Sequence, residues 1–273
     1  MKTGLALPSL LNVTTSIASA VVGIPLVYLL SRALRLRPKP IEITNPRENA
    51  TLAFLIIITA FVCASVWRIL TEAVFSPTFG KLQVFVNCRI VDVLWIGFLY
   101  VLILPPLILL MKRTRQPLRS IGIDRMNIGR MLALGFILSA IFFAILGFLA
   151  PSFGGGFEGF SPSLIYGLIY FTIVGFGEEI VWRGYVQTRL VAYGGTFRGL
   201  VVTSLLFAVL WHFPGRYYMY SGAVLEALAS SLLVFPSGLV FGYLMMGSQN
   251  IIPSSILHLF GDWNYLFWQI PIS

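Results

Sequence analysis

The strongest constraint on this chain is the length of its apolar runs. Charged residues and Pro/Gly breaks divide the 273 residues into eight apolar stretches, near 9–31, 51–67, 91–111, 131–150, 162–188, 198–213, 223–246 and 250–269. A helix needs about 20 such residues to cross a hydrocarbon core of about 30 Å. At that depth every backbone N–H and C=O must pair within the protein, so the stretches are expected to be helices. A membrane β-barrel would instead require alternating segments of about 10 residues, which runs such as Ala53-Phe54-Leu55-Ile56-Ile57-Ile58 contradict. Composition agrees, being 58% hydrophobic and 11% charged, against roughly 45–50% and about 25% for an ordinary globular domain. The expected fold is all-α, a polytopic transmembrane helical bundle of about eight spans.

The net charge of +9 comes without a Lys/Arg-rich arm interleaved with aromatics, so no nucleic-acid partner is expected. A basic excess in a membrane protein marks its cytoplasmic loops. One set of alternate loops holds Arg32, Arg35, Arg37, Lys39, Arg47, Lys112, Arg113, Arg115, Arg119, Arg125, Arg130, Arg183, Arg189 and Arg198, fourteen in all. The other holds five: Lys2, Arg68, Lys81, Arg89 and Arg216. This asymmetry predicts a multi-pass protein of the cell membrane with both termini outside the cytoplasm. Lys2, the apolar run and Ala18-Ser19-Ala20 resemble a cleavable signal, but the run continues to Leu30 and meets a basic flank, which reads as an anchor. Cys63 and Cys88 read as buried thiols packing as small hydrophobes. Three regions are expected: N-terminal transmembrane helices over 1–113, a basic interfacial segment on the cytoplasmic side over 114–130, and a transmembrane core carrying the chemistry over 131–273.

Ionisable side chains inside spans are costly and mark functional sites by default. Both histidines of the chain, His212 and His258, fall inside spans, as do Glu178, Glu179 and Asp262. At about 1.5 Å per residue, Glu178 lies roughly 15–18 Å from the cytoplasmic end of its span, His212 about 21 Å and His258 about 12 Å. The three can therefore meet in one layer. Asp262 follows His258 by four residues and shares its helix face, and Glu179 precedes Arg183 by four, a spacing suited to a structural ion pair. Taken singly, each has a structural reading as a packed polar group. Together they form a set in which a carboxylate acts as general base toward water and a histidine assists or donates to an oxyanion, which suits acyl-bond hydrolysis. The same set also suits zinc, with the metal activating the water.

Several hydrolase types are set aside. The histidines are 46 residues apart, so no His-Glu-x-x-His helix exists. Ser237-Gly238 follows Pro236 and lacks the glycine of a nucleophile elbow. Gly261-Asp262 has Leu259 where an aspartyl intramembrane protease needs a further glycine, and its only candidate partner, Asp92, is at a span edge.

Two motifs carry a family resemblance. Glu178-Glu179-Ile180-Val181-Trp182-Arg183, followed by Gly184, matches Glu-Glu-x-x-x-Arg, and His258-Leu259-Phe260-Gly261-Asp262, with Pro253 upstream, matches His-x-x-x-Asn/Asp. Over about residues 160–268 the chain resembles the CPBP family, which holds the type 2 CAAX prenyl proteases and the Abi-like bacteriocin-processing and self-immunity proteins. Trp211-His212-Phe213-Pro214 is similar to the family's middle motif, with one departure. The aromatic usually found four residues before the histidine is replaced by Ala208, and Phe207 stands one position earlier. On an α-helix that is a rotation of about 100°, which moves the ring off its usual face.

The resemblance implies a membrane-embedded endopeptidase of glutamate type. Glu178 and His212 activate water, His258 and Asp262 form the oxyanion site, and Glu179 and Arg183 support them. An ionised Asp262 accepts hydrogen bonds only, so it serves either protonated or by orienting His258. The implied partners are the lipid bilayer and a membrane-associated protein or prenylated peptide whose chain enters laterally. No cofactor is expected, zinc being the alternative. A non-catalytic scaffold or immunity protein and a proton-coupled transporter are the rival functions.

Overall fold

The computed structural model describes residues 10–36, 38–75 and 87–270. Lys2, Arg37 and Lys81, counted in the charge asymmetry, lie outside them. The described residues form eleven α-helices and no strand. They are α1 (Leu10–Ala33), α2 (Pro46–Phe75), α3 (Ile90–Arg113), α4 (Ile128–Leu149), α5 (Pro162–Glu179), α6 (Thr188–Gly194), α7 (Thr196–Leu206), α8 (Phe213–Met219), α9 (Val224–Leu232), α10 (Phe235–Ser248) and α11 (Ile251–Phe267).

Short helices join into longer spans. A π-helical segment, Ile180–Gln187, continues α5 into α6, and another, Phe207–Trp211, continues α7 into α8. Among the described residues, seven helical spans are long and apolar enough to cross a membrane: Val13–Ala33, Pro46–Thr71, Ile90–Arg113, Ile128–Phe153, Pro162–Gly194, Thr196–Met219 and Val224–Ser248. The expected eighth stretch, 250–269, forms α11, whose 17 residues give about 25 Å of helix, just short of these seven. The spans expected at 162–188 and 198–213 extend until they meet at Gly195, whose φ of +84° suits a residue without Cβ.

The helices bearing the histidine and carboxylates meet at the centre. α11 packs between α5 and α4, and α5 packs on its other side against α3. Gly175 permits the first contact: a Cβ there would lie 2.9 Å from the Leu259 nitrogen and 3.0 Å from the Ser255 oxygen. Small residues that let backbones approach are how helices associate where no hydrophobic effect separates them from lipid. Gly177 likewise receives the Tyr100 ring of α3.

The polar segment after α3 is tied to this centre. Arg189, fully buried, donates from Nη1 to the Ser120 carbonyl at 2.8 Å and from Nη2 to Ser120 Oγ at 2.9 Å. Its guanidinium lies 4.2 Å from the centre of the Tyr185 ring. Asn250, before α11, donates to the Asp124 carbonyl at 2.9 Å. Arg183 and Arg189 are thus buried inside a helix and are not loop charges, which corrects the count above. Twelve basic residues of the first set then face the five of the second, and the asymmetry stands.

Candidate active site

Glu178 and Glu179 close α5, and the π-helical turn after them carries Arg183. Glu179 and Arg183 are 0% and 1% exposed, with Nη1 3.5 Å from Oε1. The expected pair is therefore present and fully enclosed. His258 on α11 is the hub. Its Nδ1 lies 3.1 Å from Glu179 Oε1, while Nε2 lies 3.6 Å from both Glu178 Oε2 and Asp262 Oδ2. Because the same Glu179 Oε1 also faces Arg183, it is held as an acceptor and fixes Nδ1 as the donor. Nε2 is left to face the other two carboxyls. Asp262 is the open member of the set, its side chain 34% exposed.

His212 joins the cluster through rings. It meets the Phe207 ring edge-on, centroids 4.8 Å apart, and Phe207 stands 6.3 Å from His258. His212 lies within electrostatic reach of Arg216, His258 and Arg183. Its Nε2 is buried and has no hydrogen-bond partner among the described residues. Trp211 beside it lies within electrostatic reach of Glu178.

Phe207 corrects the expectation that its ring leaves the site. Residues Phe207–Trp211 are π-helical, and a π-turn closes from i to i+5. The extra residue per turn brings position 207 onto the face of His212, five residues later. Phe207 is 1% exposed, and the Arg183 guanidinium lies 4.1 Å from its ring centre. A phenyl face stabilises a desolvated cation there.

Sequence reasoning did not single out Phe241, which stacks on His258 at 4.8 Å and 16°. It also missed Tyr100, within electrostatic reach of Glu178. Both lie in apolar helices, where an aromatic carries no mark of its neighbours. Glu178 Oε2, Glu179 Oε2, Arg183 Nη2, His212 Nε2 and Tyr100 OH are all buried without a hydrogen-bond partner among the described residues.

Among the described residues no group of three His, Cys, Asp or Glu side chains is gathered to hold an ion. His258 turns Nδ1 to Glu179, and His212 packs against a phenyl ring. No step below runs through a metal.

Residues 159–264 match the family model described as type II CAAX prenyl endopeptidase Rce1-like. The matched region holds all six residues of the candidate site. No curated protein and no solved structure matches the chain.

Proposed function

Residues 159–264 match the Rce1-like, type II CAAX prenyl endopeptidase family model, and we propose that this multi-pass membrane protein is an intramembrane endopeptidase using water activated at Glu178. The observation that carries the reading is the division of labour around His258. Glu179, paired with Arg183, engages one ring nitrogen, and Glu178 and Asp262 flank the other at 3.6 Å. A buried polar atom without a partner calls for an explanation, and the unpaired atoms gathered here suit a peptide group and a water molecule.

In this mechanism Glu178 takes a proton from water as the oxygen attacks the scissile carbonyl. His212 steadies the same water. His258, oriented through Nδ1 and carrying a proton on both ring nitrogens, donates from Nε2 to the developing oxyanion. Asp262 adds a hydrogen bond when protonated, and otherwise holds His258 in place. As the C–N bond breaks, Glu178 returns the proton to the leaving amine. Glu179 and Arg183 touch no reacting atom and act by positioning. No cofactor enters any step.

The substrate we infer is a membrane-associated protein or prenylated peptide whose aliphatic chain enters from the bilayer. The basic side, with Lys39, Arg47 and residues 112–130, faces the cytoplasm, and with α11 as an eighth crossing both termini lie outside. The test is hydrolysis of a prenylated peptide by the purified protein in detergent, with and without chelator. Cleavage that needs the lipid and survives chelation is expected. Absence of cleavage in a folded preparation counts against the reading.

A further inference from the structure

Four residues after His212 stands Arg216, and four after His258 stands Asp262. Side chains at i and i+4 share a helix face. The backbone agrees at the first pair, where the Arg216 amide donates to the His212 carbonyl at 3.0 Å. α8 and α11 thus carry a second charged tier, one turn beyond the histidines. Arg216 is within electrostatic reach of Asp262, Tyr265, Tyr220 and Arg68. Arg68 reaches across from α2, with Nη2 3.3 Å from where a Gly215 side chain would begin.

Among the described residues, Arg216 has no carboxylate at ion-pair distance, and its one side-chain hydrogen bond is to the Met219 sulfur, 3.7 Å from Nη1. A guanidinium presents a planar fork of donors that fits a carboxylate bidentately. A cation inside a span that faces other charged groups marks a ligand path. We propose that Arg216, backed by Arg68, binds a carboxylate of the peptide substrate beside Asp262. This rests on the peptidase reading above. The anion has two chemical sources, the free C-terminus of the substrate or an acidic side chain next to the cut.

The test measures kcat/KM of the full chain in detergent on three farnesylated peptides: one with a free C-terminus, the same peptide amidated, and the amide with Asp after the scissile bond. The free acid is expected to exceed the amide by about tenfold or more, chiefly through KM. Arg216→Met should bring that ratio close to one, and Arg216→Lys should keep part of it. Recovery by the Asp-containing amide assigns the carboxylate to a side chain, and no recovery assigns it to the C-terminus. Equal rates on all three peptides overturn the carboxylate site while leaving the peptidase reading intact. So does an Arg216→Met protein that is slower on every peptide in the same proportion, since a purely structural arginine behaves that way. Cleavage of none overturns the peptidase reading and this proposal with it. Should Arg216→Met not fold, the comparison of acid, amide and Asp-containing amide on the wild type still decides.

Discussion

At His258 the two ring nitrogens meet different demands, and the residues around them are separable by substitution. Removing Arg183 leaves Glu179 charged and buried, a change costing about 3–5 kcal/mol for an enclosed pair. Arg183→Ala is therefore expected to express poorly and unfold at lower temperature, with partial rescue by Glu179→Gln. Thermal unfolding of the single and double variants checks this, and a stable Arg183→Ala protein lacking only activity would place Arg183 against the substrate instead. Asp262 offers a different choice. If it donates to the oxyanion, Asp262→Asn should keep or raise turnover, because the amide is a permanent donor, and chelators should have no effect. Loss of turnover together with lost metal content would instead make Asp262 a ligand. Glu178, Glu179, Arg183, His258 and Asp262 were legible in the sequence because charges inside apolar spans stand out and their i, i+4 spacing survives folding. Phe241 and Tyr100 were not, since only packing brings an aromatic to a site.

Among the elements, the π-helical segments explain what an α-helical reading could not. The rotation assigned to Phe207 assumed 3.6 residues per turn, and the Phe207–Trp211 segment replaces that count locally. Such bulges depend on tertiary packing more than on local composition, so nothing in Phe-Ala-Val-Leu-Trp announces one. Exchanging the two residues, Phe207→Ala with Ala208→Phe, restores the family's usual spacing but moves the ring off His212 and Arg183. Turnover is expected to fall about tenfold or more, as misplacement near a reacting centre does. Wild-type turnover by the exchanged protein would show that the bulge does not set the pocket. Gly175 offers a second element-scale check. Gly175→Ala forces α5 from α11 by a few tenths of an ångström, a strain of about 1–3 kcal/mol, which thermal unfolding should register along with slower turnover.

At the scale of the whole molecule, the spans were the most legible feature, because apolar length is set by bilayer thickness and not by packing detail. The eighth stretch blurred because α11 has only 17 residues. The loop charges were partly misread because an arginine buried in a helix looks in sequence like one in a loop. Orientation is testable directly: with Cys63 and Cys88 replaced, a cysteine at the exposed Glu158 should react in intact cells with an impermeant maleimide. One at the exposed Arg125 should react only after permeabilisation, and the reverse pattern would invert the topology. The account as a whole turns on Glu178 as the base that activates water. Glu178→Gln preserves volume and polarity, so the variant should fold with stability within about 1–2 kcal/mol of wild type. The most direct measurement is its turnover of a prenylated peptide beside the wild type, in the same detergent and with matched unfolding curves. Cleavage by the wild type and none by Glu178→Gln is expected, and undiminished cleavage by the folded variant would exclude Glu178 as the base.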